Sequence, residues 1–214
     1  MRAVSHPIPA PFLARVDALL AQGGRRLLGL VGPPGAGKST LAQALLGAFP
    51  GVAQVVPMDG FHLANLELAR LGRAGRKGAP DTFDAAGYLA LLQRLRERER
   101  TDEIVYAPEF RREIEEPIAG AIAVLPDTRL VITEGNYLLL DDGPWAGIAQ
   151  LLDDCWYVDI DPVLRTDRLV ARHRQFGRSA EQATDWVAQT DEPNARRIEA
   201  TRERARAVFR WSDE

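Results

Sequence analysis

The sequence predicts an α/β fold, a parallel sheet covered by helices on both faces. Two observations carry that expectation. Short apolar runs, read as buried strands, alternate with segments of helical periodicity along the 214 residues. The first of these runs ends in a glycine-rich loop that opens a helix. The length fits one domain spanning residues 1–214.

The elements follow in order. Residues 11–22, PFLARVDALLAQ, carry apolar side chains at helical spacing, and Gly23-Gly24 stops that helix. RLLGLV at 26–31 is a buried strand, and KSTLAQALLGAF at 38–49 is the helix after the loop. A second strand falls at about 52–57. Residues 60–80, rich in Gly and Arg with weak periodicity, read as a flap over a site or as a plain surface excursion. The run from Phe83 to Arg100 is a helix with Tyr88, Leu91, Leu92 and Leu95 on one face. Residues 103–124 read as irregular extended chain, with a hairpin as one arrangement.

RLVITEGNYLLL, 129–140, begins as a buried strand, and CWYVDI, 155–160, is another. The helix that follows is well marked: Asp161 caps it, Pro162 suits its first position and Gly177 its end. Ser179 and Gln182 form a capping box for the next helix, and Asp191 with Pro193 marks a further helix start. RAVFRW, 206–211, is a last strand.

Composition narrows the function. A formal net charge of −3, with no uncompensated basic tract, argues against a nucleic-acid surface. The N-terminal segment has prolines where a signal peptide needs an apolar core. No apolar run approaches the roughly 20 residues of a membrane span. The expectation is a cytoplasmic protein without a membrane partner. The single cysteine, Cys155, sits in an apolar run and reads as a buried, inert thiol.

Gly32 to Ser39 match G-x-x-x-x-G-K-[ST] in full, between a strand and a helix. Phosphate oxygens must be met by several backbone N–H groups at once, and glycines at 32, 35 and 37 let the loop wrap that closely. Gly32, Pro33, Pro34, Gly35, Ala36, Gly37, Lys38, Ser39 and Thr40 are therefore the nucleotide-binding candidates. The chain holds two lysines, Lys38 and Lys77, against twenty-five arginines. Lys38 stays lysine because a compact ammonium reaches the β- and γ-phosphates where a planar guanidinium does not fit. Ser39 offers a hydroxyl to Mg²⁺, Thr40 reaches the α-phosphate, and Glu134, ending the apolar LVITEG strand, is the metal carboxylate.

Three classes of phosphate-loop protein compete. The chain lacks the N-K-x-D that reads guanine and is too short for a transport or motor ATPase. A small-molecule kinase needs an acceptor base, a substrate flap and an arginine-rich lid. Asp59, just after the second strand, can face the γ-phosphate and accept a hydroxyl proton, against the plainer reading of a D-G turn aspartate. The lid candidate spans 161–178, where RTDRLVARHRQFGR holds five arginines and one acid in fourteen residues. Arg165, Arg168 and Arg172 share one helical face and suit ATP, or else salt bridges to nearby acids.

The stretches GPPGAGKST, PMDGFH, GAPDTFD, VYAPEF, VITEGNYLL and DPVLRTDRLVARH resemble the phosphoribulokinase, uridine kinase and bacterial pantothenate kinase group of P-loop kinases. The resemblance covers about residues 26–210. It is nearest to the nucleoside/nucleotide kinase-like branch loosely labelled fructokinase. It implies an adenylate-kinase-like sheet of five parallel strands. It also implies Asp59 as catalytic base, Glu134 at the metal, Arg168 or Arg172 in the lid, and Tyr106 and His62 lining the acceptor pocket. TDEPNARRIEATR, 190–202, departs from the uridine kinase pattern.

The expectation is an ATP- and Mg²⁺-dependent kinase that phosphorylates a hydroxyl of a small polar metabolite, a sugar such as fructose or a pantothenate-like compound. A nucleoside acceptor is the alternative within the class, and a regulatory ATPase the one outside it. Relatives of this group are often homodimers. Asn136 and Tyr137 either reach the substrate or pack. Asn194 starts a helix or binds a ligand. His173 reads as a surface residue. Trp145, Trp156, Trp186 and Trp211 read as core or interface rather than as a platform for a base.

Overall fold

The computed structural model of the protein describes residues 7–97 and 102–211. In chain order the helices and strands are α1 (Ala10–Ala21), β1 (Arg26–Val31), α2 (Lys38–Ala48), β2 (Ala53–Val55), α3 (Asn65–Arg70) and α4 (Ala85–Arg96). They continue as β3 (Val105–Arg111), β4 (Glu116–Val124), β5 (Leu130–Gly135), β6 (Asp154–Val158), α5 (Pro162–Gln175), α6 (Ala180–Trp186), α7 (Glu192–Glu199) and β7 (Ala207–Phe209). The end of the predicted fourth helix, residues 98–100, lies outside the described residues.

The expected five-stranded sheet is present, in the order β2-β5-β1-β6-β7. Every pair in it is parallel. The segment expected to be extended, 103–124, is an antiparallel hairpin of β3 and β4 outside that sheet.

Residue alternation along β1 builds two cores. Leu27 and Val31 face one side, with Tyr88, Leu91, Leu92 and Leu95 of α4; Leu28 and Leu30 face the other, with Val16 of α1 and Leu41, Ala42 and Leu45 of α2. Cys155 is buried in the first of these cores, and burial pushes its thiol up to about 12, so it stays protonated and inert. No helix among the described residues is long and apolar enough to cross a membrane.

The lid helix α5 begins as its sequence requires. The Asp161 side chain accepts from the N–H groups of Val163 and Leu164, and Pro162 occupies the first turn. The Ser179–Gln182 capping box forms at the start of α6. The helix expected from Asp191 and Pro193 is present as α7, with Pro193 in its first turn, but it is not a free start. Instead α6 runs into α7 through a π turn, Val187–Asp191, in which the Glu192 N–H reaches back to the Val187 carbonyl. Pro193 has no N–H to donate and its ring would clash with the carbonyl four residues back; the wider turn accommodates both. Asp191 has helical backbone angles, and its carboxylate turns to His173 instead of capping.

Two glycines set how closely the site's pieces approach. A Cβ on Gly135 would lie 2.5 Å from Met58 Cβ, so the end of β5 touches the turn that follows β2. A Cβ on Gly60 would collide with the Pro108 carbonyl, so the hairpin rests on that same turn. Gly60→Ala should therefore cost about 1–3 kcal/mol of stability, the scale of an overpacked core. Gly47, inside α2 with nothing within 4 Å of its added Cβ, provides the control. Gly47→Ala should stabilise by about 0.5–1 kcal/mol through helix propensity. Denaturant melts of the two variants beside the parent protein check both signs.

Candidate active site

The site sits at the carboxyl ends of β1, β2 and β5, in a cleft of about 1200 Å³. After β1 the chain turns through Gly32–Gly37 into α2. Gly37 precedes the helix at φ +89°, a left-handed conformation that a side chain would strain. The loop carries the Lys38 ammonium inward, where it is buried. Its Nζ donates to the Gly32 carbonyl at 2.8 Å, the Pro33 carbonyl at 3.0 Å and Asn136 Oδ1 at 2.7 Å. Three partners for three N–H groups explain why a lysine stands here. Burial pushes its pKa down to about 8, against the pull of Glu134 and Asp59.

Ser39, one residue on, donates its hydroxyl to Glu134 Oε1 at 2.9 Å. Glu134 is buried at the end of β5, and burial first, then the nearby Asp59 carboxylate, push its carboxyl up. A hydroxyl and a desolvated carboxylate with a second acid close by form an oxygen-rich place that a hard divalent cation would relieve. The residues thus fit the Mg²⁺ expected of them.

Asp59 lies on a 3₁₀ turn, Met58–Phe61, directly after β2. Its Oδ2 stands 3.4 Å from Arg112 Nη2. His62 closes the same turn, its Nδ1 2.7 Å from the Asp59 carbonyl oxygen. The His62 ring lies between Phe83 at 4.0 Å and Phe110 at 4.6 Å. Burial lowers its pKa, so the imidazole is neutral and serves as a wall with a polar edge.

Across the cleft, α5 contributes Arg168, Leu169, Arg172 and His173. Burial lowers the Arg172 pKa, and the positive charge of Arg112 adds to that effect. The two guanidiniums repel, and the Asp59 carboxylate offsets part of that cost. An anionic phosphate in the cleft would offset more of it.

Several expectations need correction. Tyr106 does not line the cleft; it is 56% exposed. Tyr106 pairs regularly with Ala123, and Phe110, beyond the register shift between Ala107 and Glu109, is the ring that reaches the site. Tyr137 is buried and absent from the lining; its hydroxyl donates to the Gly78 carbonyl at 2.5 Å and its ring packs on Trp145 at 5.3 Å, holding the flap. Arg165 is buried beneath the loop against Gly35 and pairs with Glu192 Oε2 at 2.5 Å rather than facing the cleft. Its Nε and Nη1 have no partner.

His173 is not a surface residue: its Nε2 lies 2.7 Å from Asp191 Oδ2 in the cleft wall. Asn194 lies in the first turn of α7; its Nδ2 donates to the Thr190 carbonyl at 2.9 Å, and it also lines the cleft. Trp145, Trp156 and Trp211 are core, Trp211 also reaching the cleft, and Trp186 lines the cleft. The Trp186 ring carries the Arg178 guanidinium 3.6 Å above it. Arg112 and Phe110 are the residues that the sequence reading missed. Their only signal was the VYAPEF stretch just before the hairpin turn.

No family model matches the chain. It is 35% identical over 196 residues, 86% of the chain and 83% of the relative, to the Schizosaccharomyces pombe protein named "Putative uridine kinase C227.14". An Aspergillus versicolor protein, "ATP-dependent kinase-like protein notR'", is 40% identical over 125 residues, 56% of the chain and 73% of that protein. Among solved structures, a "putative fructose transport system kinase" from Silicibacter sp. TM1040 superposes with a TM-score of 0.83 at 38% identity, covering 94% of this chain and 98% of the other.

The depressed pKa of Lys38 has a measurable consequence. In the nucleotide-free protein Lys38 loses its proton as pH rises through about 8. A bound triphosphate favours the charged ammonium and raises that pKa again. Nucleotide binding should therefore take up a proton at about pH 8.5, none at Lys38 near about pH 6.5, and weaken as pH climbs between them. Calorimetry in buffers of different ionisation enthalpy reads this uptake, which should vanish in Lys38→Met.

Proposed function

Because the chain belongs to the uridine-kinase-like P-loop kinases, ATP-dependent enzymes of small metabolites, we propose that it transfers the γ-phosphate of ATP to an alcohol group, with Mg²⁺ as cofactor. The observation that carries this reading is the convergence of Lys38, the Ser39–Glu134 pair and Asp59 at one end of the sheet.

The residues divide the work. The loop from Gly32 to Thr40 holds the phosphates by backbone N–H groups and the start of α2. Lys38 exchanges its carbonyl and Asn136 partners for phosphate oxygens. Ser39 and Glu134 would hold Mg²⁺, which supplies charge neutralisation on the phosphates. Asp59 accepts the proton of the acceptor hydroxyl as that oxygen bonds to the γ-phosphorus and the bond to the β–γ bridging oxygen breaks, releasing ADP. Arg172 and Arg168 of the lid meet charge on the transferring phosphoryl group, and Arg112 closes from the hairpin side. The lid also excludes water, which limits hydrolysis without an acceptor.

The names of the relatives point to different acceptors, a nucleoside and a sugar. The lining here, with its rings, amides and cations, supports a small polar acceptor in either case. ADP release with and without a metabolite panel, with product identified by mass, tests the kinase reading. Slow release unaffected by every metabolite would instead mark a regulatory ATPase.

Asp59→Asn separates a base from a turn residue. Asparagine suits a D-G turn as well as aspartate does, so a turn role leaves turnover near normal. A base role lowers kcat by roughly 10²-fold or more, with melting temperature and ATP affinity nearly unchanged. Measured side by side on one preparation, at least half of the parent kcat would refute the base.

A further inference from the structure

Resting on the kinase reading above, we propose that the acceptor carries an anionic oxygen group, a carboxylate or a phosphate, that docks on Lys77 and Arg112 while its hydroxyl meets Asp59.

The first observation is where the lysines are. Of the twenty-seven Lys and Arg residues only two are lysine, and both line the same cleft. Lys38 stands where a compact ammonium is required. Lys77 stands at the other end, with its side chain 13% exposed. It donates to neutral acceptors, Asn65 Oδ1 at 2.6 Å and the Glu115 carbonyl at 2.5 Å. Among the described residues the carboxylate it approaches is Glu115, whose Oε2 is 4.0 Å away on a side chain 54% exposed. An ammonium so placed, hydrogen-bonded by neutral dipoles and only partly offset by the charges of Glu115 and Glu116, is costly. Burial accordingly depresses its pKa.

The second observation is convergence. Lys77 Nζ lies 5.1 Å from the centre of the Phe110 ring and the Arg112 guanidinium 6.0 Å from the same centre. Both cations, and Asp59, act electrostatically on His62. Both positive groups thus lie near one ring, close to the base. Of the other acids near this rim, Glu113 and Glu115 are exposed and solvated, and half-buried Glu116 is engaged by the Asn65 N–H.

The third is the resting partner of Arg112. It meets Asp59 at 3.4 Å, a loose contact that is easily exchanged. An acceptor anion that draws Arg112 away leaves the Asp59 carboxylate open to the hydroxyl. A neutral acceptor offers no such exchange. Specificity and activation would then come from the same contact.

The competing role for Lys77 is a strap, because Asn65 Nδ2 bonds the same Glu115 carbonyl at 3.1 Å and joins flap to hairpin. The test exploits the scarcity of lysine. Acetylation with an amine-selective reagent, read by peptide mass spectrometry, reports Lys38 and Lys77 separately in the intact protein. The probes are a non-hydrolysable ATP analogue with Mg²⁺, and matched pairs: glycerate with glycerol, gluconate with sorbitol, ribose 5-phosphate with ribose.

The analogue should protect Lys38. At least one acid or sugar phosphate should protect Lys77 where its neutral partner does not, and the pairs tell carboxylate from phosphate. Lys38 left unprotected would overturn the nucleotide reading itself. Lys38 protected while no anion protects Lys77, or while neutral partners protect it equally, overturns the present proposal alone. In a second arm, Lys77→Met should abolish the protecting anion's stabilisation of the protein in a thermal shift, or weaken its affinity about 10-fold or more. Lys77→Arg should retain part of it. A Lys77→Met protein that melts lower yet binds the anion normally would leave Lys77 a strap and refute the assignment.

Discussion

The buried ammonium of Lys38 is the interaction on which the site depends. It joins the loop after β1, through the Gly32 and Pro33 carbonyls, to the segment after β5, through Asn136. These two strands are neighbours in the sheet, paired from Arg26↔Leu130 to Val31↔Gly135. That register brings the loop lysine and the Glu134 carboxylate to the same level. Cation and carboxylate are both desolvated there, and each offsets part of the other's cost.

The remaining chemistry is hung on this pair by close backbone contacts. Gly135 admits Met58, so the turn bearing Asp59 is pressed against the end of β5. Gly60 admits the Pro108 carbonyl, so the hairpin bearing Phe110 and Arg112 rests on that turn. Tyr137, buried behind the site, holds the flap by its bond to Gly78. Turn, hairpin and flap are thus anchored beside the sheet, and each contributes side chains to the cleft.

Legibility in the sequence followed the range of the interactions. The phosphate loop, the Asp161 cap, the Ser179–Gln182 box and the buried face of α4 are local or periodic, and they were readable. Lys38, Ser39 and Glu134 were readable because strand, loop and helix leave few arrangements. Arg165 was misassigned because helical spacing gives the face but not what faces it; Glu192, 27 positions away, decided that. Tyr106 was misassigned because composition does not reveal which ring of a hairpin turns to the cleft; Phe110, four residues on, is the one that does. Asp191 and Pro193 do stand at the start of α7. What local rules could not show is that the Asp191 carboxylate turns to His173 and that a wide turn joins α7 to α6. Arg112 was invisible because its partner, Asp59, lies 53 residues away.

The π turn between α6 and α7 sets the rotational phase of everything after it. A turn closed by five residues instead of four holds one residue more than an α-helix needs. Each residue turns a helix by about 100°. Losing that residue would let the helix run straight while swinging α7 about its axis by that amount. Ile198 would leave the core beneath the sheet and Glu192 would leave Arg165. The wall of the cleft is therefore indexed by chain length at this point, and its lining tolerates substitution far better than it tolerates a change in count.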